Sequence, residues 1–354
     1  MKKFLIMLLI IISFSNIGLA NQIDDNIVKA EVLEIKKLNY DGVNKQIIKV
    51  KILEGTYVNR KIDIEYMPIE YSQYNFDLYK GSKVRIKIES NNDQIKGNII
   101  NVSREDNLKL LVIIFLICVI LFGKMRGILS VTSLAISGIV IIKLMIPLIL
   151  KGYNPLLIAV ICSIFIILIS FILVAGFTYK SFAAILGTIC GTITAGLLAQ
   201  VFTNLCSITG LANEEVQFLI TSMEITVDFR GLFMSGVIIG TIGAVMDVAM
   251  TVTSVIFELK SQSRNLGFIE LVGAGLNVGK DVMATMVNTL VLAYAGASMP
   301  LLIILNKFNI PINQIISMEI LSTEIIRSLC GSVGLIMTIP LTSFIASFMV
   351  NNKR

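Results

Sequence analysis

The stretch LKLLVIIFLICVILFG, residues 108–123, carries a single charge, and PLLIAVICSIFIILISFILVAGF, residues 155–177, carries none. A helix needs about 20 predominantly apolar residues to cross a hydrocarbon core of about 30 Å. Runs of that length recur to the end of the chain, near 108–123, 127–149, 155–177, 182–205, 231–257, 282–304 and 329–350. They predict a mainly α, polytopic transmembrane helix bundle of about seven spans over residues 108–354. Composition agrees, with 55% of residues apolar and 15% charged, against about 45–50% and about 25% in soluble domains.

Upstream of the bundle the pattern changes. Lys2 and Lys3 precede the apolar run 4–12, and Gly18-Leu19-Ala20 offers small residues for cleavage. That is the order of a signal peptide over residues 1–20; an uncleaved anchor is the other reading of the same pattern. Residues 21–107 alternate apolar and charged positions, most clearly in Lys83-Val84-Arg85-Ile86-Lys87-Ile88. Period two predicts strands, here over 28–35, 46–53, 60–66, 83–88 and 95–102. Asp41-Gly42, Glu54-Gly55 and Lys80-Gly81 mark turns between them. Five short strands predict a small β-barrel-like domain of the OB or SH3 kind. The aromatics around 66–79 (Tyr66, Tyr71, Tyr74, Phe76, Tyr79) read as packing, with ligand contact the lesser alternative.

The net charge of +6 is not spread evenly, because residues 21–107 balance 14 cations against 14 anions. The excess lies in the signal segment and the membrane loops. With the β domain extracytoplasmic, the connections 124–126, 178–181 and 258–281 and the C-terminus are cytoplasmic. These carry eight Lys and Arg, among them Lys353 and Arg354, against five on the outer side, as the positive-inside rule expects. No basic patch interleaved with aromatics occurs, which argues against a nucleic-acid partner. Cys118, Cys162, Cys190, Cys206 and Cys330 all lie in or beside apolar runs, where they read as small fillers rather than a disulfide framework. The absence of histidine excludes a His-based zinc site and a His general base.

Ionisable residues inside apolar spans are costly and mark candidate sites. Asp247, Thr251, Ser254 and Glu258 are spaced four, three and four apart, which places them on one helical face. Asp281, Thr285 and Asn288 repeat the spacing in the next span. Two oxygen-rich stripes on adjacent helices suit a proton or a monovalent or divalent cation, since such oxygens can replace a hydration shell. On this reading Asp247 and Asp281 face one another's helices, with Thr251 and Asn288 between. The competing reading is that Asp247 only bonds neighbouring helices. Gly187 with Gly191, and Gly236 with Gly240, form small-xxx-small pairs of the helix-packing type. Glu324 and Arg327, three apart, read as a local ion pair. Gly273 to Gly279 follows no strand and is not a dinucleotide loop. Val278-Gly279-Lys280 before Asp281 departs from the intramembrane aspartyl protease pattern, so no catalytic residues are assigned.

The run Gly243-Ala-Val-Met-Asp-Val-Ala-Met-Thr-Val-Thr-Ser254 with Glu258 resembles the YibE/F-like family of bacterial membrane proteins. So do Gly279-Lys-Asp-Val-Met-Ala-Thr-Met-Val-Asn288 and its continuation to Pro300, Glu324-Ile-Ile-Arg-Ser-Leu-Cys-Gly-Ser332 and Pro340-Leu-Thr342. Thr251 stands where many members have serine and keeps the hydroxyl. The resemblance spans nearly the whole chain and implies fold and a multi-pass place in the cell membrane; it carries no activity with it. Two functions then compete. One is a cation- or proton-coupled permease. The other is a non-transport scaffold or sensor whose β domain binds a partner outside. A simple anchor would need one span rather than seven, which favours the permease. Association into a homo-oligomer stays open.

Overall fold

The computed structural model describes residues 26–40, 43–66, 76, 78–91, 94–223, 225, 227–308 and 311–352. The signal segment, Asp41-Gly42, Tyr71, Tyr74, Glu224, Lys353 and Arg354 lie outside them. The chain divides into two compact units, Met1–Phe122 and Gly123–Arg354.

The first unit is built on an antiparallel sheet of β1 (Ile27–Tyr40), β2 (Val43–Ile52), β3 (Lys61–Tyr66), β4 (Lys83–Asn91) and β5 (Gln94–Val102), in the order β3-β2-β1-β4-β5. Alternation sorts its faces: Val28, Ala30 and Val32 of β1 are buried with Ile48, Val50 and Ile52 of β2 and Val84, Ile86 and Ile88 of β4. Register follows, with Ala30 opposite both Ile52 and Val84. Gly55 turns the chain between β2 and β3 at φ +85°, where a Cβ would also lie 2.8 Å from Val28 Cγ1. The sheet is an antiparallel half-barrel, the coarse form of the small barrel-like domain expected. Among the described residues β3 and β5 share no ladder. They meet through side chains instead, and a Cβ on Gly97 would sit 2.9 Å from Ile62 Cδ1.

α1 (Glu105–Leu150) opens in this unit. Its backbone is broken at Lys124 (φ 47°, ψ −129°), and a π-helical turn, Val140–Met145, precedes Pro147. Proline cannot donate the next helical hydrogen bond, and such register slips are a usual accommodation. Then follow α2 (Pro155–Ala175), α3 (Tyr179–Leu205), α4 (Glu214–Met223), α5 (Phe229–Gln262), α6 (Phe268–Ala297), α7 (Met299–Lys307), α8 (Ile312–Ser317) and α9 (Glu319–Asn351). Side chains cap several starts: Asn154 accepts from Leu157 N, Thr178 from Ser181 N and Asp228 from Gly231 N, filling donors left free at a helix N-terminus.

Among the described residues five helices (α1, α2, α3, α5 and α9) are long and apolar enough to cross a membrane. The α6–α7 pair, bent by 65°, adds a sixth when the two are taken as one span. The seven expected runs fall on these six, the first two both within α1. The stretch 258–281, expected as a connection, is mostly helix, because Lys280 and Asp281 interrupt the apolar run without interrupting helical backbone. Helices α3, α5 and α9 pack against one another at the centre of the second unit. A Cβ on Gly187 or Gly191 would collide with Thr342 or Thr338 of α9, and Gly334 lies within reach of Ala195. Close backbone approach through small residues is how helices gain contact where lipid supplies no hydrophobic drive. A Cβ on Gly240 would meet the Tyr294 hydroxyl, whereas one on Gly236, expected to pack beside it, would meet no other element within 4 Å.

Candidate functional site

α5 is 34 residues long, about 51 Å at 1.5 Å per residue, and Asp247 lies near its middle. One face of α5 buries Val237, Val245, Val248, Val252 and Ile256. The opposite face carries Gly240, Gly243, Asp247, Thr251 and Glu258, all exposed. Among the described residues no side chain hydrogen-bonds or ion-pairs with the Asp247 carboxylate.

Asp247 lines a cavity of about 470 Å³ between α1, α2 and α5. Across from it stand Ser130, Ser133 and Ser137 of α1 and Ser170 of α2, with Met246 and Met250 beside the carboxylate. Ser133 Oγ donates to Ser170 Oγ at 2.7 Å, and Ser137 Oγ donates to the Ser133 carbonyl at 2.9 Å. The carboxylate therefore shares its cavity with four hydroxyl groups and with no cationic side chain.

The rest of the expected constellation lies elsewhere. Thr251, Ser254 and Glu258 continue along α5 but do not line the cavity. The Thr251 hydroxyl donates to the Asp247 carbonyl at 2.8 Å, and Glu258 accepts from Gln262 at 3.0 Å. Asp281, Thr285 and Asn288 are exposed along α6, and none reaches the cavity. The serines were not among the expected residues. Their signal was present, since 130, 133 and 137 are spaced three and four apart and so share a helical face. Among the described residues no group of three or more His, Cys, Asp or Glu side chains is placed to hold a metal ion. The cavity offers one carboxylate and hydroxyl oxygens, a set that fits a proton or a singly charged ion better than a divalent one, which draws on several carboxylates.

Apolar helices of crossing length around a small-residue core, with a carboxylate on a mostly apolar cavity that carries four serines, mark a polytopic helical membrane protein. The chain belongs to the YibE/F-like family, whose model (YibE/F-like protein) matches residues 111–352. The match begins after the sheet, so the N-terminal domain stands outside it. No curated protein and no solved structure matches the chain.

Proposed function

We propose that the protein is a membrane permease coupled to a proton or a monovalent cation, with Asp247 as the coupling group. The observation that carries this reading is an unpaired carboxylate at mid-helix, on a largely apolar cavity that also holds four serines. A carboxylate at such depth is costly as a free ion. It is relieved either by taking a proton or by holding a cation, and alternation between the two is a coupling device. The serine hydroxyls supply oxygen ligands to a dehydrated cation. The substrate is outside what the site defines.

The arrangement in the membrane belongs to the same proposal. Residues 1–20 direct export, the half-barrel is extracytoplasmic, and the C-terminus is cytoplasmic in the bacterial plasma membrane. Two crossings within α1, divided at Lys124, and one for the bent α6–α7 pair bring the count to seven.

A hydrophobic carbodiimide, which attacks protonated carboxyls in apolar surroundings, tests the assignment. Treated in detergent and digested, the protein should yield a modified peptide containing Asp247, with labelling suppressed by the coupling cation or at high pH. An unlabelled Asp247, or labelling indifferent to both cation and pH, would contradict the proposal.

A further inference from the structure

We infer that Arg327 anchors a second binding site, for a small oxyanion such as a carboxylate or phosphate, apart from the Asp247 cavity. Arg327 lies on α9 within the helical unit, with its side chain 24% exposed. Its Nη1 meets Glu324 Oε1 at 3.3 Å. The Phe233 and Tyr294 rings lie under it with centroids at 5.5 and 6.0 Å. Ring faces attract the charge but do not fill the in-plane N–H groups. A guanidinium has five donors in a rigid fork, and here Nε is buried with no partner among the described residues. Buried donors in native proteins are almost always satisfied. Among the described residues nothing satisfies this one, and an oxyanion has the acceptor oxygens that would.

Beside Arg327 is a cavity of about 140 Å³, lined also by Gly210, Asn213, Val216, Phe233 and Thr323. Its wall is held to the helix that bears the arginine. Glu319, at the start of α9, accepts from Thr209 N at 2.7 Å, Gly210 N at 2.9 Å and Thr209 Oγ1 at 2.8 Å. Gly210 has φ +79°, and a Cβ there would strike the Phe229 carbonyl, so the wall closes only with glycine. The cavity is small and takes Arg327 into its lining, and a guanidinium fork matches oxyanions in pairs of hydrogen bonds. Glu324 is the internal acceptor with which an incoming oxyanion competes, so binding is weak in the wild type.

The test is thermal unfolding of the full chain in detergent, followed by far-UV circular dichroism, in inorganic phosphate against chloride at equal ionic strength. Phosphate should raise the midpoint, as a ligand of the folded state does. Glu324→Gln removes the competitor and should lower the half-maximal phosphate concentration by about tenfold or more, given one like charge removed at close range. Arg327→Lys should abolish the rise. If that variant does not fold, Val216→Phe, which fills the cavity, should abolish it instead. Asp247→Asn should keep the rise, and its loss there would contradict a separate site. Phosphatidylglycerol in place of free phosphate distinguishes a lipid headgroup from a soluble anion, and a rise with either supports the site. No rise with either in wild type and Glu324→Gln, or a rise that survives Arg327→Lys or Val216→Phe, would overturn it.

Discussion

At Asp106, in the first turn of α1, two lysines converge on one carboxylate. Lys29 of β1 donates at 2.8 Å, and Lys83 of β4 donates to the other oxygen. Arg85 donates from both Nε and Nη2 to Glu105 Oε1. The strands and the helix start are thus tied by charge, and both acids also favour the positive end of the helix dipole. The hydrogen bonds from Lys29 and then Lys83 hold the Asp106 carboxyl down to about 2. Because this lies below the value of a free aspartate, about 3.9, the folded state gains stability above that pH and loses it as pH falls through the depressed value. The thermal midpoint of wild type should therefore exceed that of Asp106→Asn near about pH 5, with the gap closing toward pH 2. A gap independent of pH would contradict the pairing. Legibility at this scale was uneven. Asp247 was legible because a carboxylate amid Met246, Val248 and Ala249 stands out in any apolar run. Its neighbours were not, because helical spacing tells which residues share a face and says nothing of which helix that face meets. Asp247 shares its cavity with residues of α1 and α2, while Thr251, Ser254 and Glu258 of the same stripe do not reach it.

Among the elements, α3 and α9 depend most on the absence of side chains. Gly191 faces Thr338, whose hydroxyl is already bonded to the Gly334 carbonyl at 2.8 Å, and Val245 Cγ1 would lie 3.0 Å from a Cβ on Gly191. Nothing at that contact is the free end of a flexible chain. Gly191→Val should therefore destabilise the bundle by about 1–3 kcal/mol or more, the usual cost of overpacking. Gly236→Ala, with open space around it, should be neutral. Chemical or thermal unfolding of both variants in detergent checks the contrast, and equal effects would contradict the packing. The four-residue glycine spacing was the same in both pairs, so sequence could not separate them; only the neighbour, Thr338 or open space, does. The starts of α6 and α9 were missed for a related reason. Apolar runs measure what lipid tolerates, while Lys280, Glu324 and Arg327 are good helix formers that extend each helix beyond the run.

For the whole molecule, the chain forms two compact units, Met1–Phe122 and Gly123–Arg354, and the family match over 111–352 leaves the sheet outside it. Period two gives way to long apolar runs near residue 108, whereas the compact units divide between Phe122 and Gly123. The half-barrel's open ladder was not legible, since alternation fixes which face is buried and leaves closure to edge geometry. The central claim is the proposal that Asp247 takes up a proton or a cation. Its most direct test is the thermal midpoint of the full chain in detergent, with sodium, potassium or choline at equal ionic strength and across pH, for wild type and Asp247→Asn. The account predicts a midpoint in wild type that shifts with one small cation or with pH, and a variant that stays folded but loses that shift, because the amide keeps size and hydrogen bonding without the charge. A shift that survives unchanged in Asp247→Asn, or a wild type indifferent to cation and pH alike, would contradict it.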